Sequence, residues 1–150
     1  MELPSLPPHP YIDCGSRREA RVSYYLNKVV QGGYEQTLAR VVEAFKKEGF
    51  GVLTEIDVRE TLKKKLDVDF RKYRILGMCN PPFAYKALQA EDKIGTMLPC
   101  SVVVQETPDG RVEVAAIDPL ASMQAVGNPA LSQIAGEVRE RLARAVSGLQ

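Results

Sequence analysis

The chain carries a single histidine, His9, and it lies in a proline-rich leader. The region that reads as folded therefore holds no imidazole. A Cys-His or Ser-His catalytic pair is excluded unless the leader folds back onto the domain. Zinc sites built on histidine go with it. Cysteine is nearly as scarce, with three residues. The N-terminus has no charged stretch leading into an apolar one, so it is not read as a secretion signal. Few cysteines in such a chain fit a reducing, cytoplasmic compartment, where stable disulfides are not expected. No apolar run approaches a membrane span. An excess of one charge is also missing: 20 Lys+Arg against 19 Asp+Glu leave a formal net charge of +1 and a pI near 7.7. A nucleic-acid partner usually demands a basic face, and nothing here prompts one. The local runs Lys63-Lys64-Lys65 and Arg71-Lys72-Tyr73-Arg74 are flanked by Glu60, Asp67 and Asp69 and read as solvated faces.

What the chain does have is an ordinary globular composition, 45% apolar and 26% charged over 150 residues. That suffices for one domain with a real core. Residues 1–20, with Pro4, Pro7, Pro8 and Pro10, read as a flexible or loosely docked extension. Residues 21–150 read as a single α+β domain. A strand ends near Val30 before Gly32-Gly33. A helix follows over 34–48, its stripe being Leu38, Val41, Val42 and Phe45, with Gly49 as a left-handed stop. The next strand, 50–58, alternates: Val52, Thr54, Ile56 and Val58 on one face, Leu53, Glu55 and Asp57 on a wetter one. A short charged helix, 59–66, precedes a strand over 69–79, in which Tyr73, Ile75, Gly77 and Cys79 share a face. A short helix runs over 81–90. Strands over 98–106 and 111–117 are joined by the hairpin signal Pro108-Asp109-Gly110. Helices over 119–126 and 129–147 close the chain. The last has the stripe Leu131, Ile134, Val138, Leu142, Val146 and Leu149. Asn80-Pro81, Asp118-Pro119 and Asn128-Pro129 each set a capping side chain before a proline that has no amide to orphan. Strands two to five suit an antiparallel meander, with helices on one face of a two-layer sandwich.

The motifs with most chemical content are Gly77-Met78-Cys79-Asn80-Pro81-Pro82 and Leu98-Pro99-Cys100. If the two strands are antiparallel neighbours, Cys79 ends one where Cys100 begins the other. The thiols are then expected to meet at one sheet edge. Cys79 also precedes a helix N-terminus, a place that lowers a thiol pKa. Three readings stand side by side. The pair is structural, since cysteine is often a small buried hydrophobe. It binds a small ligand or a two-coordinate soft metal such as Cu(I), with Asn80 alongside. Or it serves thiol-dependent redox or sulfur-transfer chemistry. Glu55 and Asp57 are secondary polar candidates for acid/base work, against solvated strand carboxylates as the plainer account. Gly32-Gly33 could place an anion at a helix N-terminus, or simply make a turn. Tyr24, Tyr25, Tyr73 and Tyr85 are expected in aromatic core packing rather than around a ligand. No cofactor is indicated.

Several of these motifs, taken together and in order, resemble domain-of-unknown-function family 302. They are Glu48 to Val58, Tyr73-Arg74-Ile75-Leu76-Gly77, Cys79-Asn80-Pro81-Pro82, Leu98-Pro99-Cys100 and Ala116-Ile117-Asp118-Pro119. The likeness runs from about Val22 to the C-terminus. It implies a TBP-like α+β fold in β-α-β4-α order and a homodimer. It implies no biochemical activity, and the TBP-like label carries no expectation of DNA binding.

Overall fold

The computed structural model of the chain describes residues 23–150. The extension expected over residues 1–20, with His9 and Cys14, lies outside the described residues. Along the chain come β1 (Tyr25–Val30), α1 (Tyr34–Lys47), β2 (Gly51–Asp57), α2 (Val58–Leu66), β3 (Tyr73–Cys79) and α3 (Pro81–Ala90). A 3-10 segment (Asp92–Met97) leads into β4 (Cys100–Glu106) and β5 (Val112–Ile117). Then α4 (Pro119–Met123), a 3-10 turn (Gln124–Val126) and α5 (Pro129–Ser147) complete it. All five strands form one antiparallel sheet in the order β1-β5-β4-β3-β2. The meander of the last four strands is as expected, and β1 closes the far edge beside β5.

Strand alternation sorts the two faces of this sheet. Leu76 and Met78 of β3, Cys100, Val102 and Val104 of β4, and Val112, Val114 and Ala116 of β5 are buried in one cluster with α1 and α5. From α1 that cluster takes Tyr34, Leu38, Val41 and Phe45; from α5 it takes Val138, Leu142, Ala145 and Val146. Each fully enclosed side chain of this size contributes about 1.5–3 kcal/mol. An exposed ion pair contributes about 0–1 kcal/mol, so the apolar layer holds the fold. Val42, expected in the stripe, is 38% exposed, because the buried arc of α1 begins one turn earlier at Tyr34 and Thr37. A second cluster, Ala87, Ile94, Met123, Leu131 and Ala135, packs α3, the 3-10 segment and α4 against the start of α5. The result is an α+β sandwich of two layers.

Two local expectations change. The alternation expected in β2 is broken by a register shift between Val52 and Thr54. Val52 lies opposite Met78 on the helix side, while Thr54 and Ile56 lie opposite Gly77 and Ile75 on the other face. As an edge strand, β2 buries none of its residues fully. The second change concerns capping. Asp118 accepts from the Leu120 amide and Asn128 from the Ala130 amide, each at 3.0 Å, as expected. Asn80 does not cap α3. Its Nδ2 donates instead to the Glu48 carbonyl at 3.3 Å. Gly49, at φ +88°, turns the chain back so tightly that a Cβ there would come 2.9 Å from that nitrogen.

Candidate functional site

The neighbouring strand ends place the two cysteines near one another along the sheet, but not thiol to thiol. Cys100 pairs in register with Met78, not with Cys79. Both partners of that pair are buried on the helix-covered face. Cys79, one residue on, is half-buried and belongs to the opposite face. The expected meeting of the thiols is therefore corrected by the pleat, and both cysteines are free. Electrostatics also run against a thiolate. Burial pushes the Cys79 thiol up. Burial, with a smaller push from Cys79, takes Cys100 up to about 11. The shift runs opposite to the lowering expected from the helix N-terminus: desolvation raises the thiol, and no cation is among the influences on it. Asn80, 8% exposed, is occupied in holding the Glu48–Gly49 turn, to which Arg141 also donates at 3.2 Å. Among the described residues no group of three or more His, Cys, Asp or Glu side chains is placed to hold a metal ion.

The polar chemistry gathers elsewhere, around Arg74. Arg74 has the parity of Leu76 and Met78, so its side chain enters the helix-covered side of the sheet. There the edge strand β2 stays exposed along nearly its whole length, and its inward side chains are Glu55 and Asp57. The Arg74 guanidinium stands 2.8 Å from Glu55, 3.6 Å from Asp57 and 4.0 Å from Glu35 of α1. It is 29% exposed. Burial opposes its charge, yet the three carboxylates together hold its pKa above the usual guanidinium value. Asp57 has a second duty: it caps α2 by accepting from the Glu60 amide at 3.0 Å. Tyr34 forms the inner wall. Its hydroxyl donates to the Val104 carbonyl at 2.8 Å. Burial takes its pKa up to about 12; Arg74 pulls it down, while Asp57, Glu35 and Glu55 push it further up.

Two cavities open on this cluster. The larger, about 480 Å³, is an open groove lined by Glu55, Ile56, Asp57, Glu60, Thr61, Lys64 and Arg74. The smaller, about 120 Å³, is bordered by the first turns of α1 and α2 together with Lys72, Tyr73 and Arg74. Asp57 and Arg74 line both. Metabolite sites generally occupy about 300–1,000 Å³ and combine a few convergent polar groups. Glu55 and Asp57, the secondary polar candidates, stand here as partners of a guanidinium rather than of each other.

Arg74, Tyr34 and Glu35 escape a reading by residue type, because Arg71 to Arg74 looks like a solvated run. The available signal was parity: an arginine in step with Leu76 and Met78 must point where those residues point. The tyrosines are also corrected. Tyr24 and Tyr85 are 66% and 65% exposed, and Tyr25 is exposed too, so they are not core. Tyr24 and Tyr25 meet edge to face with ring centres 5.0 Å apart, and Tyr73 lies beside Phe70 and Arg71. Gly32-Gly33 does precede a helix, and Gly33 caps α1 without any side-chain hydrogen bond.

Among the described residues no helix is long and apolar enough to cross a membrane. No functionally curated protein matches the chain. A crystal structure of an uncharacterized conserved DUF302 protein from Bacillus stearothermophilus is similar, with a TM-score of 0.79 at 32% identity, covering 85% of this chain and 98% of that one. The family model described as domain of unknown function DUF302 matches residues 26–149. On that match over most of its length, together with the similar crystal structure, the chain belongs to the DUF302 family.

Proposed function

We propose that this domain is a small-molecule-binding module whose site is the groove around Arg74, and that it works as a homodimer. The observation that carries the binding reading is the convergence of two cavities on one guanidinium already held by three carboxylates. An arginine fixed in this way presents its remaining donors in a preset direction, which limits the ordering cost of binding. Glu60 and Lys64 of α2, both exposed, and the half-buried Thr61 line one wall. The cysteines serve the fold in this reading, since their thiols face opposite sides of the sheet and both are held protonated.

Calorimetric titration against a library of polar metabolites tests the groove. A true ligand binds wild type saturably. It loses at least about tenfold in affinity, or about 1.4 kcal/mol, in both Arg74→Met and Lys64→Ala. Lys64 is exposed, so that second variant keeps the fold. A ligand held equally by all three proteins, or no saturable ligand at all, removes this reading.

The homodimer reading is carried by the sheet face that lacks helices. Ala115, Val103, Ile75 and Ile56 lie side by side across four strands. A polar chain runs alongside them. Asn27 and Gln105 both donate to Glu113, and Arg71 donates to Gln105. An apolar centre with a polar, aromatic and arginine-bearing rim is the anatomy of a protein interface. Because the rim carries both Glu113 and Arg71, a second copy related by a two-fold axis can match charge to charge.

A further inference from the structure

We infer that the smaller cavity is an oxyanion site, built to take the phosphate or carboxylate group of the solute that fills the groove. The inference rests on the binding reading above and adds the chemical class of the ligand. Three cations, Arg59, Lys72 and Arg74, face two carboxylates, Glu35 and Asp57, around this cavity. The carboxylates are committed: Asp57 caps α2 and both carboxylates flank Arg74. Arg59 and Lys72 have no carboxylate within ion-pair distance among the described residues. The Lys72 ammonium lies 5.8 Å from the centre of the Tyr34 ring. The cavity thus holds two unneutralised charges around about 120 Å³, room for several waters or one tetrahedral anion.

The backbone points the same way. Tyr34 and Glu35 open α1, and Asp57 and Arg59 stand at the start of α2. Both helices present their positive ends to this cavity. Gly33 caps α1 without a side chain, which leaves the amides of the first turn to be met by solvent or ligand. An oxyanion placed here receives charge-assisted hydrogen bonds from the side chains. The rest of the molecule extends past Arg74 into the larger groove, where Glu55 and Glu60 suit hydroxyl or ammonium groups.

The experiment uses the full chain and two probes, inorganic phosphate followed by phosphorus NMR and succinate followed by calorimetry. Wild type is expected to bind at least one of them saturably, with Kd on the order of millimolar. Arg59→Gln and Lys72→Gln each weaken it at least fivefold, and the double variant abolishes it. Lys93→Gln, a remote surface change, leaves it unaltered. Binding of phosphate alone assigns a phosphoryl group, and of succinate alone a carboxylate. No saturable binding of either probe, or binding indifferent to both cavity lysine and arginine, overturns the inference. A library ligand that needs Arg74 but ignores Arg59 and Lys72 overturns the anion assignment while leaving the groove reading intact. Loss of both dependences brings down both.

Discussion

Cys100 shows how a single side chain can be chemically silenced by where it sits. With its pKa up to about 11, only about one molecule in ten thousand is a thiolate at pH 7. Iodoacetamide at neutral pH is therefore expected to leave Cys100 unmodified in the folded protein, and Cys79 to react more slowly than an unfolded thiol. Peptide mapping separates these from Cys14; labelling of Cys100 at the unfolded rate would contradict the burial argument. The same shift makes a stability statement. The folded thiol keeps its proton at a pH where the unfolded one, near 9, has lost it. Stability contributed by the neutral form is thus complete below pH 9 and is lost as pH rises towards 11. The expected loss is on the order of 1–3 kcal/mol. Urea titrations at pH 8 and 10.5 on wild type and Cys100→Ala measure it, and the variant should show the shallower fall. Tyr34, with its pKa up to about 12, adds a second alkaline step in the same direction, above pH 10.

At the level of strands and helices, close approach decides more than propensity. Gly77 sits in the middle of the sheet, on the uncovered face, where a Cβ would lie 2.2 Å from the Thr54 hydroxyl and 2.7 Å from the Pro99 ring. Gly77→Ala is expected to cost about 1–3 kcal/mol through overpacking, read as a lower midpoint in thermal unfolding. The double variant Gly77→Ala/Thr54→Ala should recover part of it, because the nearer clash is with that hydroxyl. Unchanged stability in the single variant would show that β2 shifts freely. Periodicity made α1 and α5 legible: most of each expected stripe is buried, Gly49 ends α1 and Asn128 caps α5. It failed in β2. The shift between Val52 and Thr54 inserts one residue, and a one-residue slip sends every later side chain to the other face. The caps at Asp118 and Asn128 were legible because they are made within three residues. The role of Asn80 was not, because its partner, Glu48, stands thirty-two positions away.

For the molecule as a whole, the uncovered sheet face sets the expectation. Sedimentation at micromolar concentration should give a dimer, and Ile75→Glu should give a monomer with unchanged circular dichroism. Placing a carboxylate in the middle of the apolar row puts two like charges across the two-fold axis and desolvates both. A wild-type monomer, or a dimer untouched by Ile75→Glu, would remove this face as the interface. Ile56 borders both the groove and the apolar row, but Ile75 points away from Arg74 on β3 and lines neither cavity, so ligand binding by the monomeric variant should survive, which keeps the two proposals separable.

Composition, periodicity and capping signals along the chain were enough to settle the class of the fold and the meander of strands two to five. These are local or additive properties, and each residue declares them by type and spacing. Which side chains share a site was settled only on folding. Cys79 and Cys100 come to adjacent strand ends, yet the pleat turns their thiols to opposite faces. Glu35, Glu55, Asp57 and Arg74 come from three elements and meet because the register of β2 on β3 sets Asp57 beside Arg74 under the start of α1. Strand register and the pairing of distant segments depend on packing across the whole fold, and no window of neighbouring residues contains that information.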